Sequence, residues 1–542
     1  MASEDRIAEY EPLRAPSRGP GAREFEPVRP AAPARAAQAG GADGDDLFGR
    51  HARAAADAGP ADEAGASVLD RDGRAEGGAG VVGSDAAAAA AEGDKRRAKG
   101  VEVWSPRRGH GATFALLFAF TLVLFFRPYE FLPLPVQLAF WIGLLALAVF
   151  VPSQLAAEGT LTARPREVTL VALFVLTALL SLPLATSRAD AWASFHQQFL
   201  KAVLIFVIFV NAVRTERRWH ALMWLTLAVS FYLSVGALND YRLGRFSVEG
   251  YRVGGRVGGL FGGANEMALH LVTVIPIAVG LFWGERGPLR KLIYGAGAVL
   301  MTAAAVVSYS RGAFLGLLAA VGVLGWKLGR RHRLAVVVLV VVGLVGFAAL
   351  APGGYGTRVL SIFDSSLDPN ASSSMRRDVL WRSLFVAVHN PAFGVGIGNF
   401  PIMSIRMLES HNAYTQVAAE MGVAALVIYV LFIVTPLRRL ARIERETFQS
   451  RRASKFHYRA IGLQAGLVAY MVSSFFASVA YQWYIYYLVG YAVTLRRLYA
   501  AEIEAAAAAD TTPETADGLN HESRPAVDSR LVEGAHGERV SA

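Results

Sequence analysis

The stretch His411-Asn-Ala-Tyr-Thr-Gln-Val-Ala-Ala-Glu-Met-Gly422 closes a long polar segment and opens an apolar run that continues through Pro436. A histidine is thereby seated where water, protein and a bilayer meet. A helix starting near Ser410 would place His411, Tyr414 and Thr415 on one face. The positive end of its dipole would then favour a neutral, proton-accepting imidazole. The competing reading is a polar cap on a membrane helix.

Outward from this stretch the chain is 54% hydrophobic over 542 residues. A soluble globule of this length is far less apolar, so the bilayer is expected to be the main solvent. With no cysteine in the chain, disulfides, thiolate catalysis and Cys-ligated zinc are excluded. A net charge of +10 raises the possibility of nucleic acid as a partner. The Lys and Arg residues, however, gather in short loops between apolar runs, where they set membrane orientation, so no nucleic-acid partner is expected.

Apolar runs centred near 119, 143, 177, 206, 228, 274, 299, 319, 342, 424, 470 and 488 predict an all-α, polytopic helical bundle of about 12 spans. Residues 1–110 and 499–542 are Ala-rich and polar and lack apolar periodicity, so both are expected to be disordered cytoplasmic tails flanking a membrane domain at 111–498. No cleavable leader pattern is visible, and the run at 112–126 is expected to act as the signal anchor. Basic clusters at Arg164 and Arg166, Arg214 to Arg218, Arg286 to Lys291, Lys327 to Arg333 and Arg438 to Arg459 alternate with less basic loops. The alternation predicts the clusters inside and two longer loops outside, near 238–264 and 352–411.

The longer outer loop contains Met375 to Val388, in which Val379, Leu380, Leu384, Phe385 and Val388 recur at helical spacing against Arg376, Arg377, Asp378 and Arg382. This predicts an amphipathic helix on the membrane surface. Three outer places carry chemistry: Arg256 in a Gly-rich segment, Arg311 between two adjacent runs, and His411. Two fixed cations and one titratable base are expected to converge there, with snorkelling or a structural salt bridge as the alternative for Arg311. Neither Gly-rich segment has the flanking elements of a nucleotide loop. Asp364 and Asp368 are weighed as metal ligands, but no matching cluster accompanies them, and solvated loop acids are the expectation.

Several motifs together resemble the O-antigen ligase and polymerase family of bacterial membrane glycosyltransferases. They are Arg256-Val-Gly-Gly-Leu-Phe-Gly-Gly-Ala-Asn-Glu266, Tyr309-Ser-Arg-Gly-Ala313, Arg377 with Trp381, Asn390-Pro-Ala-Phe-Gly-Val-Gly396, and His411-Asn-Ala-Tyr414 through Gly422. The resemblance spans roughly 250–435, and Gly263-Ala264-Asn265 stands where many relatives have Asn-Pro-Asn. It implies a GT-C-like membrane fold and transfer of a glycan from a lipid-pyrophosphate carrier, commonly undecaprenyl, to a sugar hydroxyl outside the membrane. The acceptor would be lipid A core or another glycan, with no metal or other cofactor. It further implies that Arg256 and Arg311 hold the pyrophosphate, that His411 orients or deprotonates the acceptor, and that Arg377, Asn412, Tyr414 and Asn265 contact substrate. Ligase and repeat-unit polymerase share these residues. A transporter or flippase is the alternative of another class, although such proteins place charge at mid-membrane rather than at span ends.

Overall fold

In the computed structural model the described residues are 109–128, 137–247, 249–255, 257–350, 353–361, 372–450 and 454–510. Each of the twelve apolar runs forms a helix. They are α1 (Gly111–Phe126), α2 (Leu138–Glu158), α3 (Arg166–Ser181), α4 (Arg188–Ala212, with a π turn at Phe195–Phe199), α5 (Glu216–Arg242), α6 (Ala264–Gly284), α7 (Pro288–Val307), α8 (Arg311–Gly329) and α9 (Arg333–Leu350). Next come α10 (Tyr355–Leu360) and α11 (Ser372–His389), and then the last three long helices: α12 (Ala413–Thr447), α13 (Ser454–Ser473) and α14 (Trp483–Asp510). No strand occurs among the described residues, so the protein is an all-α, multi-pass membrane protein.

Eight described helices are long and apolar enough to cross a membrane, fewer than the twelve expected. The remaining runs do fold as helices. However, α1 and α3 have 16 residues each, short of the about 20 that span a bilayer. The last, α14, turns charged and Ala-rich after Thr494. Its helix continues to Asp510, beyond the tail boundary expected at 499, because Ala and Glu are strong helix formers and Lys455 pairs with Glu502 at 3.0 Å. Residues 1–108 and 511–542, which hold most of the two expected tails, lie outside the described residues.

Helix α13 packs between α6 and α8 through glycines that let backbones approach. A Cβ at Gly462 would lie 2.8 Å from the Pro276 carbonyl and one at Gly466 2.8 Å from the Thr273 carbonyl, while Gly316 of α8 meets Ser473 in the same way. Small residues four apart are the usual means of bringing membrane helices close where no hydrophobic drive exists between them. The basic clusters gather at one end of these helices and are matched there by acids. Arg214 pairs with Glu158 at 2.7 Å, Arg459 and Lys455 with Glu216 at 2.7 and 2.9 Å, and Lys327 with Glu444.

The opposite helix ends carry the site. There α12 is broken at Gly422, whose φ of 87° and ψ of 177° are open only to glycine. The break frees carbonyls, and the segment after α11 fills the gap. Val395 N–H donates to the Ala419 carbonyl and Gly396 N–H to that of Glu420, both at 2.9 Å, while Val423 N–H donates to the Pro391 carbonyl at 2.8 Å. The buried Glu420 side chain accepts from the Tyr481 hydroxyl at 2.8 Å and from Phe400 N–H at 3.4 Å. The non-helical segment after α11 is thus packed against α12 with main-chain groups of both paired.

A Cβ at Gly422 would lie 2.4 Å from the Ala392 carbonyl. Gly422→Ala is therefore expected to cost about 2 kcal/mol or more, combining backbone strain with displacement of the 390–396 segment. A fall in melting temperature of the purified protein checks this.

Candidate active site

Four arginines collect at the site end of the bundle, and each is held by a different segment. Arg311 opens α8, where the Ser310 side chain caps the helix by accepting from Ala313 N–H. Its guanidinium is 8% exposed and donates to Ser361 Oγ at 2.9 Å. Arg252 follows the turn after α5 and donates to the Ser308 carbonyl at 3.0 Å and to Asn265 Oδ1 at 2.7 Å. Arg358 of α10 donates to Glu249 at 3.2 Å, and Glu249 also takes Arg252 at 3.4 Å. Arg376 comes from the first turns of α11.

These groups feel one another. Burial, and then the charges of Arg311, Arg252 and Arg358, push Arg376 down to about 10, so it stays cationic at neutral pH. Burial likewise lowers Arg252, partly offset by Glu249. Buried guanidiniums persist only when their N–H groups find acceptors, and the acceptors here come from four separate segments.

His411 stands just ahead of α12, not within it. The helix begins at Ala413 because Asn412 caps it, its Oδ1 accepting from Tyr414 N–H at 2.9 Å and Thr415 N–H at 3.1 Å. The expected helix start near Ser410 is thereby corrected by two to three positions. His411 adopts a left-handed φ of 52°, and its N–H donates to Ser478 Oγ at 2.8 Å. Burial, followed by the nearby charge of Arg376, lowers its imidazole to about 4. A neutral ring was expected, with the helix dipole as the cause; burial and Arg376 are the causes found. Arg376 therefore sits electrostatically between Arg311 and His411 and ties two of the three expected places together.

Arg256, the third, lies outside the described residues, as do Asp364 and Asp368. Around Arg256 the chain folds on itself: Gly255 N–H donates to the Phe261 carbonyl at 3.1 Å, and a Cβ at Gly255 would lie 2.2 Å from that oxygen. Asn265 accepts from both Arg252 and Ser310 Oγ, the latter at 3.0 Å, and so braces two cationic segments from the head of α6. The Tyr414 hydroxyl is committed to the Met471 carbonyl at 2.9 Å, which ties α12 to α13. Arg377 is exposed, one position round the helix from Arg376.

Sequence reasoning did not single out Arg252, Arg358, Glu249 or Arg376 as site residues; it named Arg377, beside Arg376, which feels the charges of Arg311, Arg252 and Arg358. The amphipathic pattern of α11 held the needed signal: Val379, Ser383 and Val386 are buried while Trp381 and Val388 are 66% and 73% exposed, so the inward face was only partly the apolar one. Glu409, two positions before His411, is exposed at its surface side. Burial and the Glu266 charge raise its carboxyl, against a hydrogen bond from Ser478. Among the described residues no group of three or more His, Asp or Glu is placed to hold a metal ion.

Residues 296–430 match the family model described as O-antigen ligase. That stretch, about a quarter of the chain, is similar to the O-antigen ligase family. The matched stretch contains Arg311, Arg358, Arg376, Arg377, His411, Asn412 and Tyr414, and begins after Glu249, Arg252, Arg256 and Asn265. A search of curated proteins gives no match. The match supports a glycosyltransferase-like reading of the site.

The histidine gives a pH signature. Its folded pKa of about 4 lies below the ordinary value of 6.5, so the neutral form belongs to the folded state. The contribution is fully present above pH 6.5 and is lost as the pH falls toward 4, because the unfolded chain then binds the extra proton. Melting temperatures between pH 7 and pH 4 are expected to fall less for His411→Gln than for the unmodified protein.

Proposed function

We propose that the protein transfers a glycan from an undecaprenyl-pyrophosphate carrier to a hydroxyl of lipid A core or a similar acceptor, on the outer face of the bacterial inner membrane. The observation that carries this reading is the gathering of Arg252, Arg311, Arg358 and Arg376 beside a neutral His411 at one set of helix ends. A departing pyrophosphate needs concentrated positive charge, and arginine supplies it without changing protonation. The acceptor oxygen attacks the anomeric carbon from the face opposite the leaving group. As the new C–O bond forms, the bond to phosphate breaks and its electron pair leaves with the pyrophosphate, inverting the anomeric configuration. No metal is required when guanidiniums occupy this role.

His411 accepts the hydrogen bond of the attacking hydroxyl and takes its proton late, once bond formation has made that hydroxyl acidic. A bound pyrophosphate would offset the field of Arg376 and make the imidazole more basic at the moment it is needed. Arg256 is retained as a further cation of the same site, and Arg377, Asn412, Tyr414 and Asn265 as groups that contact or shape the substrate site. The membrane-facing surface of α11, with Trp381, Phe385 and Val388 exposed, fits the outer leaflet, and the acid-matched basic end fits the cytoplasmic side. Both termini are then cytoplasmic, and the tails are dispensable for chemistry.

Arg311→Ala is expected to lower transfer about 10² to 10³-fold, as loss of an oxyanion-stabilising donor does, with Lys restoring part of it. His411→Ala should cost on the order of 10²-fold or more. Arg376→Ala should lower turnover more than Arg377→Ala. The assay is release of lipid pyrophosphate from purified protein given lipid-linked donor and acceptor, without nucleotide or divalent metal. Near-normal turnover in the Arg311 and His411 variants at matched abundance would sink the reading. In cells, a deletion that leaves polymerised glycan on its carrier and bare acceptor supports a ligase, whereas acceptor capped by a single repeat unit points to a repeat-unit polymerase.

Orientation is checked separately. Single cysteines beside Arg311 and His411 are expected to react with a membrane-impermeant thiol reagent in intact cells, and those beside Arg331 and Arg445 are not.

A further inference from the structure

Glu249 sits where an anion belongs. Its Oε1 takes Arg252 Nη1 at 3.4 Å, and its Oε2 takes Arg358 Nη2 at 3.2 Å and the Tyr251 hydroxyl at 2.8 Å. The donors come from two segments far apart in the chain and close on one carboxylate as they would on phosphate oxygens. Exposure differs sharply among the partners: the side chains of Arg252 and Arg358 are 2% and 6% exposed and that of Glu249 is 24%. The carboxylate is the solvent-facing member, and the two guanidiniums lie behind it.

We propose that Glu249 is a resident counter-ion that marks the anion site and is displaced by the donor's pyrophosphate, so that polyanionic head groups are selected over monophosphates. The proposal rests on the lipid-pyrophosphate reading above and deepens it. With the site empty, Glu249 offsets the repulsion among Arg252, Arg311, Arg358 and Arg376. An incoming anion must supply more negative charge and more acceptor oxygens than the carboxylate to take its place. Pyrophosphate does both, and a monophosphate with its smaller charge does so poorly.

The backbone allows the exchange. Glu249 has a left-handed φ of 52° and is followed by Gly250 at 73°, in a turn where Ser247 N–H donates to the Arg252 carbonyl at 3.1 Å. Paired left-handed residues define a tight hairpin turn that favours Asn or Gly. A glutamate there places its charge on the tip of an exposed turn, from which the side chain can swing into solvent while Arg252 stays tied to Ser308 and Asn265.

The test titrates full-length protein in nanodiscs with inorganic pyrophosphate and, separately, inorganic phosphate, by calorimetry. Glu249→Gln keeps the size of the side chain and a partner for Tyr251 but removes the charge. It is expected to bind pyrophosphate about tenfold more tightly and to discriminate less against phosphate. Tyr251→Phe, which loosens the carboxylate while keeping its charge, should shift both affinities the same way by a smaller factor. Arg358→Ala should bind pyrophosphate more weakly, and Arg290→Ala at the opposite end should bind as the unmodified protein does. Unchanged affinity in both Glu249→Gln and Tyr251→Phe, with weakening in Arg358→Ala, overturns the counter-ion proposal and leaves the donor reading standing. Unchanged affinity in Arg358→Ala and Arg311→Ala places the anion site elsewhere, and then both fall.

Discussion

The cost of burying guanidinium groups next to one another governs the construction of this site. A cation removed from water is tolerated only when its donors are paired, and neighbouring cations raise the demand. Arg311, Arg252 and Arg358 are each under a tenth exposed and meet that demand with a serine hydroxyl, a main-chain carbonyl, an asparagine oxygen and a shared carboxylate. The acceptors belong to the turn after α5, the head of α6, the α7–α8 junction and α10. None of these segments can move far without leaving a buried charge unpaired, so the arginines that would serve the reaction also hold the loops in place.

A second constraint fixes the base relative to the cations. The break at Gly422 opens α12 just where the Asn390–Gly398 segment needs acceptors, and the two satisfy each other through three main-chain hydrogen bonds. Because that segment follows directly on α11, the break also fixes the position of Arg376. Asn412 then sets the start of α12, and Ser478 holds the His411 backbone from the α13–α14 connection. Arg376 and His411 are close enough to influence each other electrostatically because one interruption in one helix orders both approaches.

Much of the fold was legible in the sequence because hydropathy and loop charge obey strong, local rules. All twelve apolar runs became helices, and the basic loops segregate to one end as the alternation implied. Span length was less legible, since α1 and α3 stop at 16 residues. At the site, Arg311 and His411 were legible from their place at helix ends. Arg252 and Arg358 were not, because nothing near them in sequence tells that their partner is Glu249, which in the case of Arg358 lies more than a hundred positions away. Arg376, the neighbour of the expected Arg377, was not legible for a different reason. Helix α11 turns a mixed face inward, with Ser383 between Val379 and Val386, and keeps large apolar side chains outside, so apolar spacing pointed to the wrong side.

Both ends of the bundle gather positive charge, and at the site end the cations also act on one another. At the basic end, Glu158, Glu167, Glu216 and Glu444 each meet one or two cations, an arrangement that neutralises charge and locks helix termini together. At the site end, Arg252 and Arg358 share Glu249, and Arg376 is pushed down to about 10 partly by Arg311, Arg252 and Arg358. A polyanion arriving among these guanidiniums would relieve the repulsion that Arg311, Arg252 and Arg358 exert on Arg376. A neutral imidazole at the edge of the same field then has the right protonation state to meet a hydroxyl, and its basicity rises as the anion fills the site.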